Sequence, residues 1–352
     1  MSVFLIFIFS VLFSASINWI LIRFSFNLGV RNLSIEEEVR WQKKKPSVGG
    51  LSFYVVFLFA GAILSILVNS KDWINISFNS KTDLSLIIVA TLGFLIGLID
   101  DAKNTNPLLK FLGQLVCGIV LTVFGLIIPI SPNIVWNSLF TILWVVFLMN
   151  SINMLDNMDG LTSTISFFIL AGIFSILAID NMSLTSIMIV VTAGAIFGFL
   201  IYNWNPSRIY MGDSGSQFLG VVLAHFSIVF LWNHRIEYGG YFQINQFFLP
   251  LLIFTIPIFD TTTVFIHRLL RKQSPFVGGK DHLSHHLVYL GLKDAQAVLL
   301  LGFINFIFIF IAIYISKYNP SQELFFFIIW GLSFLFFQFI YIKAKKYKPL
   351  SA

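Results

Sequence analysis

Two carboxylates and three amides lie together within residues 150–161, which read NSINMLDNMDGL. These side chains are Asp156, Asp159, Asn150, Asn153 and Asn157. The amides recur at intervals of three and four residues, so they would share one face of a helix that extended this far. Ionisable groups beside membrane-length apolar runs are costly to bury and are usually functional. The stretch therefore indicates a catalytic or binding site, with an ordinary polar loop between two spans as the alternative.

Adjacent carboxylates, Asp100 and Asp101, form a second cluster in GLIDDAKN, residues 97–104. Such a pair repels itself and is favoured beside a divalent cation or a basic partner. At the C-terminal end of a helix it also opposes the helix dipole, a cost that a merely interfacial pair leaves unexplained. Lys110 follows in PLLKFLGQ, residues 107–114, where it could contact a phosphate or simply extend its ammonium to the membrane interface.

A third cluster is NWNPSRIYMGDSGS, residues 203–216, in which Asp213 lies between small residues. Small residues leave backbone amides open to a phosphate, and one carboxylate can hold Mg²⁺ against it. The letters GDSG also occur in serine hydrolases. An intramembrane hydrolase that uses Ser214 or Ser216 as its nucleophile is therefore an alternative.

The fourth cluster is histidine-rich: SPFVGGKDHLSHHL, residues 274–287, contains His282, His285 and His286. Together with His267, four of the six histidines of the chain lie in this one region. The histidines could bind zinc from a shared helix face. They could equally hydrogen-bond a diphosphate or act as acid and base near neutral pH.

Composition assigns the chain to the polytopic membrane proteins. Hydrophobic residues make up 57% of the 352 residues, charged residues 11%, and the mean hydropathy is +0.88. We expect one all-α integral membrane helix bundle over residues 1–352. The net charge of +6 is typical of basic loops beside anionic lipid, so we expect no nucleic-acid partner. A single cysteine, Cys117, excludes an intramolecular disulfide.

Apolar runs long enough to cross about 30 Å of hydrocarbon predict about eleven transmembrane helices. These runs cover residues 2–22, 49–69, 84–99, 108–128, 138–150, 161–179, 184–202, 217–232, 247–267, 296–316 and 324–342. The third and fifth are short. No basic residue precedes the first run, so we expect an uncleaved span there rather than a signal peptide.

The distribution of basic residues predicts an outside N-terminus and a cytoplasmic C-terminus. With this orientation, eighteen of the 22 Lys and Arg residues lie on the cytoplasmic side. All four polar clusters, and Asp260 at the end of the ninth span, then lie at cytoplasmic span ends. An ion-coupled transporter would instead place charges deep within spans and show internal repeats, and the sequence has neither. We expect outer-loop residues such as Asp83 to be solvated and His225 to be a satisfied core residue.

The four clusters, in this order, resemble the polyprenyl-phosphate N-acetylhexosamine-1-phosphate transferases of the glycosyltransferase 4 type. The matching motifs are DDAKN at 100–104, NSINMLDNMDGL at 150–161, FGFLIYNWNPSRIYMGDSGSQFLG at 197–220 and DHLSHHL at 281–287. KKKPSVGG at 43–50 also resembles the basic segment of the family. The resemblance covers about residues 40–295. It is strongest to the bacterial branch that starts O-antigen, enterobacterial common antigen and teichoic-acid linkage units.

Two positions depart from the pattern of the family. The family commonly has His-x-His-His, and here Ser284 stands at the middle histidine, with His286 as an extra. Asn157 stands where many members have glycine. The muramoyl-pentapeptide branch has a run of three histidines, so the chain resembles that branch less.

The resemblance implies transfer of an N-acetylhexosamine 1-phosphate, with GlcNAc-1-phosphate first, from a UDP-sugar to undecaprenyl phosphate. UMP is released, Mg²⁺ is the expected cofactor with Mn²⁺ as an alternative, and the product starts a lipid-linked glycan such as the O-antigen of lipopolysaccharide. The site would face the cytoplasm in the bacterial inner membrane, surrounded by membrane lipid. The resemblance leaves both a monomer and a homodimer open. Because two phosphate anions must meet, catalysis needs cations more than a strong base.

We therefore expect three kinds of site residue. Asp213 would bind the metal, with Asp101 as a second ligand. The catalytic carboxylates would be Asp100 or Asp101 at the lipid phosphate, with Asp156 and Asp159 at the nucleotide. The expected substrate-binding residues are Lys45, Lys110, Asn150, Asn153, Asn203, His282, His285 and His286.

Overall fold

The computed structural model describes residues 3–24, 45–69, 79–177, 182–234, 244–274, 279–318 and 323–347. These residues form thirteen α-helices, and no strand occurs among them. The first seven are α1 Val3–Phe24, α2 Gly50–Asn69, α3 Ser80–Lys103, α4 Pro107–Val123, α5 Ile134–Leu155, α6 Leu161–Ile176 and α7 Leu184–Asn203. The others are α8 Gly212–Ser227, α9 Ile244–Ile253, α10 Thr255–Leu270, α11 Leu283–Tyr289, α12 Asp294–Tyr318 and α13 Glu323–Ala344. A π-helical turn, Ile228–Trp232, continues α8, and a 3₁₀ turn, Lys345–Tyr347, follows α13.

The prediction of an all-α, multi-pass membrane protein is confirmed. In the described part of the chain, seven helices are long and apolar enough to cross a membrane, or eight if α9 and α10 form one bent span. The shorter helices α2, α4 and α6 are also apolar. The count of eleven spans and the orientation of the termini stay predictions. Lys43 and Lys44 of the basic segment, and residues 275–278 of the histidine-rich segment, lie outside the described residues.

Helix α8 lies at the centre of the bundle, where 89% of its span is buried against neighbours that include α3, α5 and α2. The approach of α3 to α8 is unusually close at Gly97. A Cβ atom added there would lie 2.1 Å from the carbonyl oxygen of Asp213. The main chains of the two helices touch at this position, so no side chain larger than that of glycine fits there. The contact brings Asp100 and Asp101, one turn further along α3, next to the start of α8.

The ninth predicted span is broken. Helices α9 and α10 meet at Phe254 with a bend of 81°. Pro257 has no N–H, so the carbonyl of Ile253 loses its helical partner, which explains a break at this point. Asn305, wholly buried on α12, accepts the N–H of Ile256 at 3.3 Å. Asp260 therefore lies early in α10, and the helix runs on to Leu270 rather than ending near Asp260.

Asp83 is buried rather than solvated, which corrects the expectation for the outer loops. Its carboxylate is 2% exposed and accepts the backbone N–H groups of Asn79 at 2.8 Å and of Thr185 at 3.1 Å. An acidic side chain at a helix N-terminus is stabilising, and here one carboxylate serves both α3 and α7. His225 on α8 is wholly buried beside this junction, with its Nε2 3.1 Å from Ser85 Oγ.

Candidate active site

Asp101 caps the N-terminus of α8. Helix α8 starts at Gly212 with a positive φ of 75°, and the next two N–H groups point at the end of α3. Asp213 N donates to Asp101 Oδ1 at 2.8 Å, and Ser214 N donates to Asp101 Oδ2 at 2.9 Å. A carboxylate in this place satisfies free helix donors and complements the helix dipole. Asp101 thereby fixes the position of Asp213, and its expected metal role stays a prediction.

Three oxygens from three helices converge on the ammonium of Lys110. Its Nζ lies 2.9 Å from Asp100 Oδ2, 2.9 Å from Asp213 Oδ1 and 3.3 Å from Asn153 Oδ1. The lysine side chain is 16% exposed, so it turns into the protein rather than out to the membrane interface. Residues distant in sequence on α3, α4, α5 and α8 thus form one charged cluster, as the resemblance implies.

Asp100 is held in place by the turn that follows α3. Asn104 adopts the left-handed conformation, with φ 47°, and its N–H donates to the carbonyl of Asp100. Thr105 then donates to Asp100 Oδ1 from its backbone nitrogen at 2.8 Å and from its hydroxyl at 2.6 Å. One oxygen of Asp100 is therefore used for orientation, while the other faces Lys110.

Asn153 and Ser216 complete this cluster. Asn153 Nδ2 donates to Asp213 Oδ1 and, at 2.8 Å, to Ser216 Oγ. The hydroxyl of Ser216 in turn donates to the backbone oxygen of Asp213 at 3.3 Å. Among the described residues, neither Ser214 nor Ser216 forms a hydrogen bond with a histidine. The arrangement does not favour a serine hydrolase.

An amide network lies one helical turn deeper. Asn150 Nδ2 donates to Gln114 Oε1 at 2.7 Å, and Gln114 Nε2 donates to Gln217 Oε1 at 3.0 Å. Gln114 and Gln217 are buried, and sequence reasoning missed both of them. The available signal was an amide inside an otherwise apolar helix, because buried amides need partners. Asn150 thus belongs to a hydrogen-bonded amide layer that lies beneath the charged cluster.

Asp159 and Lys45 form a second charged pair. Lys45 Nζ lies 3.7 Å from Asp159 Oδ2, donates to Ser207 Oγ at 3.0 Å and lies 5.0 Å from the centre of the Tyr210 ring. Ser207 N donates to the same Asp159 oxygen at 2.9 Å. The pair therefore joins the segment before α2 to the loops that follow α5 and α7.

Asn203 is buried, and its amide is used within the protein. Its Oδ1 accepts Gly160 N at 3.1 Å and Ser163 Oγ at 3.0 Å, and its Nδ2 donates to the carbonyl of Ile209 at 3.0 Å. These hydrogen bonds of Asn203 therefore connect loop 156–160 to the loop that follows α7. Its expected contact with substrate stays a prediction.

Asp156 lies half-buried in loop 156–160. Burial raises the pKa of Asp156 to about 7, and the carboxylates of Asp213, Asp101 and Asp159 add to this rise. A carboxyl group with this pKa exchanges its proton near neutral pH, which suits either a proton acceptor or an adaptable hydrogen-bond partner of a phosphate.

The histidine-rich segment is built on buried ion pairs. His282 Nδ1 lies 2.7 Å from Asp260 Oδ2. Asp281 accepts two hydrogen bonds from Arg268, at 2.6 and 3.0 Å, and one from Arg271 at 2.6 Å. Although burial opposes it, these two guanidinium groups hold the pKa of Asp281 well below its usual range. Asp260, Arg268 and Arg271 were not among the expected site residues.

The three histidines have different surroundings. The ring of His286 packs on Tyr341 with centroids 3.9 Å apart, and the His282 and His285 rings lie 5.9 Å apart. Burial lowers the pKa of both His285 and His286 to about 4. No group of three or more His, Cys, Asp or Glu side chains in the described ranges could hold a metal ion, so the geometry does not support a zinc site.

Comparison with known proteins agrees with this arrangement. The sequence profile of glycosyl transferase family 4 matches residues 83–231, which contain the first three clusters. A Bacillus subtilis protein named a probable undecaprenyl-phosphate N-acetylglucosaminyl 1-phosphate transferase is 31% identical over 297 residues, covering 80% of this chain and 76% of that protein.

Two further relatives extend the match. A decaprenyl-phosphate N-acetylglucosaminephosphotransferase of Mycolicibacterium smegmatis is 30% identical, covering 73% of this chain and 68% of that protein. A phospho-N-acetylmuramoyl-pentapeptide-transferase of Bacillus mycoides is 28% identical, covering 78% of this chain and 85% of that protein. With the four clusters assembled at helix ends, the chain belongs to glycosyl transferase family 4, the family of the polyprenyl-phosphate sugar-1-phosphate transferases.

Proposed function

We propose that this chain transfers N-acetylglucosamine 1-phosphate from its UDP-sugar to undecaprenyl phosphate and so starts a lipid-linked cell-surface glycan. The observation that carries the proposal is the convergence of Asp100, Asn153 and Asp213 on the ammonium of Lys110 at the ends of membrane helices. A cluster at this depth can meet a lipid phosphate from the membrane and a nucleotide sugar from water. The names of the B. subtilis and M. smegmatis relatives support the acceptor and the sugar.

The chemistry follows from the charges. An oxygen of the lipid phosphate attacks the phosphorus that carries the sugar, the bond from this phosphorus to the bridging oxygen breaks, and UMP leaves with that oxygen. Both reactants are anions, so catalysis is chiefly positioning and neutralisation. A phosphate monoester has a second pKa of about 6, so the attacking group needs little help in losing a proton.

The donor set fits a hard divalent cation. Asp213 Oδ1 and Asp100 Oδ2 each lie 2.9 Å from one ammonium, so both oxygens can approach a single cation. Mg²⁺ commonly takes one or two protein carboxylates and completes its shell with water and substrate phosphates, and Mn²⁺ accepts the same oxygens. When bound, such an ion would neutralise charge on the diphosphate. Asp213 and Asp100 are the residues that would hold it.

The remaining residues receive roles from their positions. Lys110 would neutralise phosphate charge beside Asp100, where the lipid phosphate would bind. Asp159 with Lys45, and Asp156 in the same loop, would position the nucleotide sugar. His282 and its neighbours would bind the diphosphate. Because eighteen of the 22 basic residues fall on one side of the predicted spans, we place the site at the cytoplasmic face of the bacterial inner membrane.

The direct test uses purified protein in lipid nanodiscs with undecaprenyl phosphate and a panel of UDP-sugars. We expect UMP release and a sugar–diphosphate–lipid product with UDP-GlcNAc, dependent on Mg²⁺ or Mn²⁺. Asp213→Asn should slow transfer by at least about a hundredfold. Its matched control is Asp294→Asn, at an exposed carboxylate that starts α12, which should not slow transfer. Absence of UMP with every sugar, or turnover undiminished in excess chelator, contradicts the proposal.

A further inference from the structure

Asp260 is a buried carboxylate to which the proposed reaction gives no role. It lies on α10, is 1% exposed, and both of its oxygens contact the start of the histidine-rich helix α11. Oδ2 lies 2.7 Å from His282 Nδ1, and Oδ1 accepts the N–H of Leu283 at 2.7 Å. One side chain thus fixes both the ring of His282 and the backbone beside it.

Charge compensation identifies the partner that Asp260 needs. A buried carboxylate is costly unless a cation or several donors compensate it. The nearby carboxylate of Asp281 is already shared between Arg268 and Arg271. His282 is the ionisable group in direct contact with Asp260. The arrangement therefore favours the cationic form of His282.

The ring geometry then determines which nitrogen is left for a ligand. Nδ1–H of His282 donates to Asp260, so Nε2 is the ring nitrogen that a substrate can meet. In the cationic ring Nε2 also carries a proton and can only donate. Such a donor suits an anion, and it could not act as a base.

We propose that Asp260 is a positioning residue that holds His282 as a cation, with Nε2–H available to the diphosphate of the nucleotide sugar. The diphosphate as the anion rests on the proposed function, whereas the state of His282 does not. Asp260 acts through His282 and is not expected to touch substrate.

The surrounding charges agree with this assignment. The titratable and charged groups that act on His282 are Asp260 and Arg268 from α10, Asp281 before α11, and His285 within α11. Burial disfavours the charged ring, but Asp260 and Asp281 together raise the pKa of His282 above its ordinary value. The pKa of His285 and of His286 is lowered whereas that of His282 is raised, so among these three histidines His282 is the one whose cationic form the surroundings favour.

The test is a histidine ¹⁵N NMR titration of the full-length protein in nanodiscs, with the His282 signal assigned by His282→Gln. We expect wild-type His282 to be cationic at neutral pH. In Asp260→Asn, which keeps shape but removes charge, its pKa should fall by at least about one unit. Asp294→Asn, an exposed carboxylate at the start of α12, is the control and should leave the titration unchanged.

Two results would overturn the proposal. The first is a neutral His282 in the wild-type protein at neutral pH. This measurement needs no variant, so it decides the question even if the Asp260→Asn protein misfolds. An unchanged His282 titration in folded Asp260→Asn does so as well. Asp260→Glu keeps the charge and should keep the ring cationic.

A second readout links the ring to binding. Cationic His282 contributes to binding of the UDP-sugar below its pKa, and this contribution is lost as pH rises through that pKa. The rise in KM for the UDP-sugar should therefore begin at lower pH in Asp260→Asn, with KM about tenfold higher at neutral pH. A purely structural role of Asp260 would leave this pH profile in place. If His282 is cationic but no transfer occurs, the positioning role stands and the proposed function fails.

Discussion

The hydroxyl of Ser284 donates a hydrogen bond of 2.6 Å to the side-chain oxygen of Asn157. The amide nitrogen of Asn157 is also used, since it donates to the carbonyl of Met154 at 2.9 Å. Asn157 therefore links the end of α5 to α11. Through this link the loop that carries Asp156 and Asp159 is joined to the histidine-rich segment.

We expect Ser284→Ala and Asn157→Ala to act as one unit. Each should raise KM for the UDP-sugar, and the double variant should cost little more than either alone, because the same bond is lost. A neutral hydrogen bond contributes about 0.5–1.5 kcal/mol, so each effect should be about two- to tenfold. Steady-state kinetics on the three variants measure this coupling. Ser175→Ala, which removes an exposed hydroxyl bonded within α6, is the control, and additive effects at positions 157 and 284 would refute the link.

The ammonium of Lys110 and a divalent cation need the same oxygens, so replacing Lys110 should slow transfer while strengthening metal binding. Lys110→Met should slow transfer by at least about a hundredfold, since a stabilising charge is lost. The same variant should bind Mn²⁺ more tightly in the absence of nucleotide, because the ammonium no longer competes for Asp213 and Asp100. Electron paramagnetic resonance measures free Mn²⁺ directly.

The matched control for Lys110→Met is Lys103→Met, which removes an exposed positive charge at the end of α3. It should change Mn²⁺ affinity far less than Lys110→Met. Weaker Mn²⁺ binding in Lys110→Met, or equal changes in both variants, would show that Asp213 and Asp100 do not form the cation site.

Asp100 and Asp101 should fail in different ways although they are neighbours. Asp101→Asn turns an amide donor towards an N–H group of α8, so it should lower thermal stability by about 0.5–2 kcal/mol, the usual cost of a lost helix cap. Asp100→Asn leaves Lys110 its ion pair with Asp213, so its main effect should be a lower rate at saturating substrates. Thermal unfolding and kinetics on both variants separate the two roles, and identical losses would argue for joint metal binding instead.

Asp281 should control stability rather than chemistry. Asp281→Asn leaves Arg268 buried without its carboxylate, and breaking a buried ion pair costs about 3–5 kcal/mol. The pKa of Asp281 is held low, so its stabilisation is present above the unfolded value of about 3.9 and is lost as pH falls below it. Thermal unfolding against pH should show an acid-side loss in the wild-type protein that Asp281→Asn lacks. Asp294→Asn should retain that loss, and its retention in Asp281→Asn would contradict the role.

The sequence was informative about which residues belong together. Hydropathy predicts the helices, and motif order predicts the cluster of Asp100, Lys110, Asn153 and Asp213, because polar groups at the ends of spans collect on one side of a membrane. Asn203 is buried and its amide joins two loops, which a motif alone does not reveal, and its expected contact with substrate stays a prediction.

Other relationships could not be predicted, because they join positions whose separation has no periodic pattern. Asp101 accepts a helix N–H from a residue 112 positions later, and Asp260 contacts a histidine 22 residues away. Asn157 and Ser284 are both departures from the family pattern. Each appears as an isolated loss in the sequence, yet the two side chains are hydrogen-bonded to each other across 127 residues.

The contact at Gly97 has a consequence for how the two principal carboxylates keep their separation. Asp100 and Asp213 are carried by main chains that touch at Gly97, so the separation of these main chains is set by hard atomic radii. A change in bilayer thickness or temperature that tilts α3 against α8 would have to break this touch before it altered the spacing. The adjustable partner is Lys110, whose flexible stem can follow an incoming phosphate while the carboxylates stay fixed.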